Sequence, residues 1–216
     1  LFFLLNGRKN RRFLCKFASE NVCVMMLFDE ITNDGRLWSV RYEGEEENAL
    51  FRSFAQWNDV EWLRAFFYEN KDDLESYFKV TDVNEAIYDT IEDSDKLQCL
   101  ILDLSPDADL EKLFRPLDNR QTAALMLDKE KARLKNDGGH PSWLRLYAIR
   151  LEKGAFIVTG GAIKLTATMA EREHTLLELA KMEKVRNFLL DEGIVDKESF
   201  TTIKIHNSLY YYGNRS

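Results

Sequence analysis

The chain has 216 residues and a composition that is 45% hydrophobic and 12% aromatic, which excludes a disordered tail and a collagen-like fibre. No apolar run approaches the roughly 20 residues of a membrane-spanning helix, and the three cysteines form no Cys-x-x-Cys pair, so we expect a cytoplasmic protein with reduced thiols. The net charge of −7 argues against a general nucleic-acid binder, although it leaves room for a local basic patch.

The first 42 residues predict a small antiparallel β meander. Residues 12–17 alternate loosely in polarity, residues 22–28 form an apolar run, and Leu37–Tyr42 alternates between two faces. The sequence Asn33-Asp34-Gly35 separates the last two segments, and Asp-Gly favours a hairpin turn.

Residues 43–118 predict a helical region. Apolar residues recur at helical spacing over residues 49–57 and over residues 82–102. They also do so in a segment between these two, where we expect a helix to begin after Asn58 as its N-cap. A further short helix is expected over residues 107–114, before Pro116.

This helical region carries most of the acidic charge. It holds 7 basic and 21 acidic residues, a net charge of −14, whereas residues 1–42 carry +3 and residues 119–216 carry +4. We interpret the acidic residues mainly as solvated helix faces.

The C-terminal part predicts an α+β unit over residues 119–200, followed by a tail over residues 201–216. The pattern of residues 121–135 is ambiguous, although their composition favours a helix. Three strands are expected next, over residues 143–151, 155–159 and 162–166, with a bend or a bulge at the Gly-Gly pair between the second and third. A long amphipathic helix then begins at a capping box, at Thr168 or Thr175, and ends at Gly193.

The strand Leu144-Arg145-Leu146-Tyr147 carries an arginine and a tyrosine, and Lys164 and Thr168 come later in the same unit. With the order of helices, three antiparallel strands and a helix, these residues resemble the RelE/ParE superfamily of bacterial toxins, especially its HigB-like branch, whose arginine- and tyrosine-bearing strand and later lysine and threonine they match. Ile163 and Met169 stand where the family has another lysine and a proline. The resemblance covers roughly residues 110–190. The same segment also looks like a group of uncharacterised proteins of gut Bacteroidetes.

The resemblance implies cleavage of mRNA on the ribosome, with no cofactor and no metal. Such cleavage needs a base for the 2′-hydroxyl, a cation for the phosphate and an acid for the leaving 5′-oxygen. On this basis we expect Arg145 and Lys164 to hold phosphate, Tyr147 to stack or donate, and His174 to act as acid or base. The two-residue period of a strand places Arg145 and Tyr147 on one face, which we expect to point outward.

Each of these residues also has a simpler interpretation. Arg145 and Lys164 are the solvated cations that strands commonly carry. Tyr147 fits a half-buried sheet aromatic. His174, at a helix start that disfavours a protonated imidazole, fits a capping or polar surface role.

The sequence therefore predicts a toxin of a bacterial toxin–antitoxin system, with mRNA as its target and a helix-turn-helix antitoxin as its partner. One alternative is a non-catalytic interaction protein of a mobile element, which the missing lysine and proline and the acidic helices favour. A second alternative is a ParE-like toxin that binds gyrase. No membrane partner is expected.

Overall fold

The computed structural model describes residues 14–16, 25–102, 110–117, 127–134, 140–194 and 196–201. In its first half the elements are β1 (Leu14–Lys16), β2 (Met25–Glu30), β3 (Leu37–Tyr42), α1 (Ala49–Trp57), α2 (Val60–Glu69), α3 (Lys71–Asp73), a π-helical turn (Leu74–Phe78) and α4 (Val83–Leu102). In its second half they are α5 (Leu110–Leu113), β4 (Phe114–Pro116), β5 (Lys129–Ala132), β6 (Leu144–Glu152), β7 (Ala155–Ile163), a 3-10 turn (Met169–Glu171) and α6 (Glu173–Asp191).

The described strands form one mixed, mostly antiparallel sheet in the order β1-β2-β3-β7-β6-β5-β4. The expected separate three-stranded C-terminal sheet is therefore wrong. The reason is the free edge of β7: β3 pairs with it in parallel from Leu37↔Phe156 to Ser39↔Val158, which satisfies backbone groups that an edge strand would leave open. This pairing joins strands of the predicted regions 1–42 and 119–200 in one sheet, while residues 202–216 of the predicted tail lie outside the described residues.

Helices cover the sheet on both faces. The apolar sides of α1, α2 and α4 pack on one face, against Leu144, Leu146 and Ala148 of β6. The other face packs on α6, and Tyr147 and Ile149 of β6 belong to that second core. The expectation that Arg145 and Tyr147 point outward is wrong, because α6 and the segment before it cover the face on which they lie.

Several local predictions are confirmed at the N-terminal end. β3 has the predicted bounds, Gly35 takes the left-handed conformation of a turn with a φ of +69°, and α1 covers the predicted apolar stripe. The N-cap of α2 lies one residue later than predicted: the side chain of Asp59 accepts the backbone N–H groups of Glu61 and Trp62, and Asn58 instead ends α1.

Two predictions in the second half are wrong. The described part of residues 121–135, whose composition favours a helix, contains strand β5, because pairing with β6 overrides its helical propensity. By contrast, the helix expected over residues 107–114 is present over Leu110–Leu113, while residues 107–109 lie outside the described residues and Phe114 begins β4. The second and third expected strands are one continuous strand, β7, which is the second wrong prediction. Of the two alternatives at the Gly160-Gly161 pair, the structure has a bulge beside it rather than a bend: Tyr147 pairs with Gly160 and Ala148 with Val158, so Thr159 is the extra residue.

Both suggested starts of the last helix are close to its real start. The capping box of Thr168 and Glu171 is present and bounds the 3-10 turn, after which α6 begins at Glu173. Gly193 follows its end with a φ of +68°.

None of the helices in the described ranges combines the length and the apolar character that crossing a membrane requires.

Candidate functional site: a basic cleft beside Tyr147

A cleft of about 790 Å³ lies on the α6 side of the sheet, between β5, β6 and the segment that leads from β7 to α6. We call it the basic cleft, because five cationic side chains and a single described carboxylate, Asp128, line it. The cations are Lys129, Lys131, Arg133, Arg145 and Lys164. Tyr147 lies among them, and the apolar lining includes Leu117, Met169 and Leu179.

Strand β5 supplies two of these cations because its side chains alternate. Lys129 and Lys131 share one face, while Glu130 and Ala132 are buried on the other. Lys131 is the register partner of Tyr147, so β5 and β6 present their polar side chains to the same cleft. Arg133 follows the strand directly and is exposed.

Arg145 is buried, with only 9% of its surface exposed. Its Nη1 donates to the carbonyl oxygens of Ser142 and Leu144, at 2.6 Å each. Burial and then the charge of Arg133 lower the pKa of Arg145 to about 10. The charge of Asp93 opposes this lowering, but Arg145 forms no ion pair with a described residue.

Lys164 directly follows β7 and is half-buried. Its Nζ donates to the carbonyl oxygens of Thr166, at 2.5 Å, and Ala167, at 2.7 Å. Burial and the nearby charge of Arg145 lower the pKa of Lys164, and Glu171 opposes this shift. The neutral amine is therefore easier to form here than at an exposed lysine, and it would still donate to both carbonyls.

Tyr147 is fully buried, and its hydroxyl has no hydrogen-bond partner among the described residues. Burial raises the pKa of Tyr147; the charge of Glu178 raises it further and Arg145 opposes the shift. The phenol is thus a protonated donor at physiological pH. A buried hydroxyl without a partner is uncommon, and its position in the cleft lining marks it as a group that a ligand could satisfy.

His174 does not line the basic cleft. Its Nε2 lies 2.9 Å from the carbonyl oxygen of Ile163, and its ring meets Phe66 edge to face with centroids 5.2 Å apart. It does not cap α6 either, since Arg172 is the N-cap residue and makes no side-chain capping bond. The structure thus brings together Arg145, Tyr147 and Lys164 but leaves His174 outside their cleft.

Sequence reasoning missed the three cations of residues 129–133. Their signal is present: a basic residue at every second position, Lys129-x-Lys131-x-Arg133, is typical of one face of a strand. This pattern has no meaning if the segment is a helix, because residues two positions apart on a helix point in different directions.

No three His, Cys, Asp or Glu side chains within the described ranges lie close enough together to hold a metal ion.

Comparisons with known proteins return no match: no family model, no curated protein and no solved structure is similar to the chain. The resemblance to RelE/ParE toxins therefore stays a prediction.

Proposed function

We propose that the basic cleft binds the phosphodiester backbone of RNA and cleaves it, and that the chain acts as the toxin of a bacterial toxin–antitoxin pair. The observation that carries this proposal is the burial of Arg145 beside Arg133 and Lys164, with no ion pair to a described residue. Burying a cation among cations is unfavourable unless an anion compensates it. A phosphodiester supplies that anion, and the apolar lining suits the adjoining base.

The three predicted residues of the cleft can divide the chemistry of transphosphorylation among them. Lys164 takes the proton of the 2′-hydroxyl in those molecules whose amine is neutral, and its lowered pKa increases that fraction relative to an exposed lysine. The 2′-oxygen bonds to phosphorus while the bond from phosphorus to the 5′-oxygen breaks, and Arg145 stabilises the charge that develops on the phosphate. Tyr147 gives its proton to the leaving 5′-oxygen. The products are a 2′,3′-cyclic phosphate and a 5′-hydroxyl.

Binding is tested with a fluorescent single-stranded RNA, by anisotropy over a range of salt concentrations. We expect neutralisation of three cleft cations, Lys131→Gln, Arg133→Gln and Lys164→Gln, to weaken binding at least about tenfold. The salt dependence should also fall, by about 0.7 in log–log slope for each phosphate that the variant no longer neutralises. The charge-matched control neutralises three exposed cations of the helical region, Arg64→Gln, Lys71→Gln and Lys79→Gln. Equal weakening in both triple variants would show that binding is non-specific and would contradict the proposal.

Cleavage is tested by incubating the purified chain with the same RNA and mapping the ends of the fragments. We expect fragments with cyclic phosphate ends from the wild type, and a fall in rate on the order of 100-fold for Lys164→Ala and for Tyr147→Phe.

In cells, induced expression should arrest growth and degrade mRNA within minutes. Intact RNA and normal growth would reject the toxin proposal.

One observation favours a second function, that of a non-catalytic interaction protein. Exposed carboxylates populate the helices on the other side of the sheet, among them Glu61, Glu69, Asp82, Glu85 and Glu92. Such a surface suits a basic partner. RNA binding without cleavage, together with a stable complex that depends on these carboxylates, would favour this function.

A further inference from the structure

A second, smaller pocket of about 340 Å³ lies where β3 and β7 part. The two strands are paired only as far as Ser39 and Val158. Beyond that point, Tyr42 still reaches β7 through its hydroxyl, which donates to the carbonyl oxygen of Thr159 at 2.7 Å. Glu178 of α6 lines this pocket beside Gly160.

Glu178 occupies the space that a side chain at position 160 would fill. A Cβ atom on Gly160 would lie 1.8 Å from Oε2 of Glu178. Gly160 is also the register partner of Tyr147. Directly opposed residues of an antiparallel pair project from the same face, about 5 Å apart at Cβ, so the carboxylate of Glu178 lies beside the side chain of Tyr147.

Two polar oxygens without partners among the described residues therefore lie on the same side of the sheet, one on β6 and one on α6 where it packs against β7. Oε1 of Glu178 accepts from Nζ of Lys181 at 2.5 Å, but Oε2 is buried and has no partner among the described residues. The hydroxyl of Tyr147 is likewise buried and has no hydrogen-bond partner among the described residues. Buried polar atoms that lack protein partners are typically satisfied by an ordered water, where a polar site has room for one.

We propose that Glu178 is a positioning residue for Tyr147 and acts through one buried water that bridges Oε2 to the phenol oxygen. The water donates one hydrogen to Oε2 and the other to the phenol oxygen. The phenol's own hydrogen is then turned away from Glu178 and into the basic cleft, where it meets the leaving oxygen. This role rests on the proposed function of the cleft.

The electrostatics of the pair agree with this geometry. Burial raises the pKa of Tyr147, Arg145 opposes this shift, and the charge of Glu178 raises the pKa further. Glu178 thus adds to the effect of burial, which keeps the phenol protonated beside Arg145. Lys181 in turn holds the carboxylate in place from the smaller pocket.

The kinetic test compares Glu178→Leu with Glu178→Gln. Leucine removes the oxygen that accepts a hydrogen bond from the bridging water. We therefore expect kcat for RNA cleavage to fall about tenfold with KM unchanged. Glutamine keeps a polar partner for the water in either orientation of its amide, so it should restore most of the rate. In a Tyr147→Phe background, Glu178→Leu should cause no further fall. Asp191→Asn, at the exposed end of α6, is the control for removing a negative charge from this helix.

Thermal unfolding of each variant separates positioning from folding. Glu178→Leu replaces a buried charged group by an apolar one, and we expect it to unfold no earlier than the wild type. Equal falls in kcat for leucine and glutamine, or a further fall in the Tyr147→Phe background, would overturn the proposal.

A crystal structure of the wild type that shows ordered water tests the bridge without RNA. A water within hydrogen-bond distance of both oxygens supports the proposal, and a direct contact or an empty gap overturns it even if RNA is cleaved. Conversely, a wild-type chain that shows this water but neither binds nor cleaves RNA would reject the proposed function, and with it the catalytic purpose of the bridge.

Discussion

Two adjacent glycines let helices approach β7 from both faces. Gly160 faces α6, where Glu178 fills the missing side-chain volume. Gly161 faces α1, and a Cβ there would lie 2.7 Å from both Oγ of Ser53 and a ring carbon of Trp57. The pair therefore serves close packing in the middle of a strand, which explains why it does not act as a turn.

We expect Gly161→Ala to lower the free energy of unfolding by about 1 to 3 kcal/mol, because the new methyl group overlaps the packed side chains of Ser53 and Trp57. Gly160→Ala should lower it less, because only the carboxylate end of Glu178 has to shift. Equilibrium urea denaturation measures this decrease. Glu178→Ala should relieve much of the destabilisation in Gly160→Ala but none of that in Gly161→Ala, since only the former glycine contacts Glu178. The same relief at both positions would show that the two glycines do not pack independently.

At the scale of elements, β5 joins the two sides of the sheet. One of its faces supplies Lys129 and Lys131 to the basic cleft. On the other face the fully buried Glu130 accepts from Nε of Arg150 at 2.9 Å. Arg150 also pairs with Glu111, whose carboxylate accepts the backbone N–H of Gly154 at 2.8 Å. This network ties α5 and the β6–β7 turn to β5.

We expect Arg150→Met to lower the free energy of unfolding by about 3 to 5 kcal/mol, because it leaves the carboxylate of Glu130 buried without its cation. The double variant Arg150→Met with Glu130→Leu should recover most of this stability, since it removes both buried charges. Chemical denaturation of the single and double variants measures the coupling. If the losses in unfolding free energy caused by Arg150→Met and Glu130→Leu simply added in the double variant, the two side chains would contribute to stability through packing alone.

At the scale of the whole molecule, charge is divided between the two sides of the sheet. The helices on one side expose many carboxylates, whereas the basic cleft lies on the α6 side. Such a division orients a polyanion during its approach, because one side repels it and the other attracts it. The net charge of −7 is thus compatible with RNA binding at one site.

The stability of the molecule should decrease as the pH rises above the ordinary carboxyl range. Burial raises the pKa of both Glu130 and Glu178 above their usual value of 4.5, so the folded state holds their protons more tightly than the unfolded state does. Their stabilising contribution is complete below that value and is lost as the pH rises through their raised pKa values. Glu178→Gln should flatten this decrease, as urea denaturation between about pH 4.5 and neutral pH would show. An unchanged slope in Glu178→Gln would contradict the assignment.

Much of the local structure follows from periodicity in the sequence. The alternation over Leu37–Tyr42, the apolar stripe of α1 and the strand character of β6 are patterns within a few neighbouring residues, and the structure confirms them. Arg145, Tyr147 and Lys164 can also be selected as site candidates from the sequence. His174 is selected with them, and only the packing of α6, which brings its ring to the carbonyl of Ile163, places it outside the cleft.

The sequence by itself determined the element types wherever side-chain period and turn residues agree, because these preferences arise within one turn of chain. Only the tertiary structure decided that β3 joins β7, that residues 129–132 form a strand, and that Glu178 lies against Gly160. These features depend on backbone hydrogen bonds and contacts between segments that are distant in sequence. No local pattern specifies which free strand edge or missing side chain a distant segment will contact. The basic cleft depends in the same way on the pairing of β5 with β6, which places Lys129 and Lys131 beside the strand of the buried Tyr147.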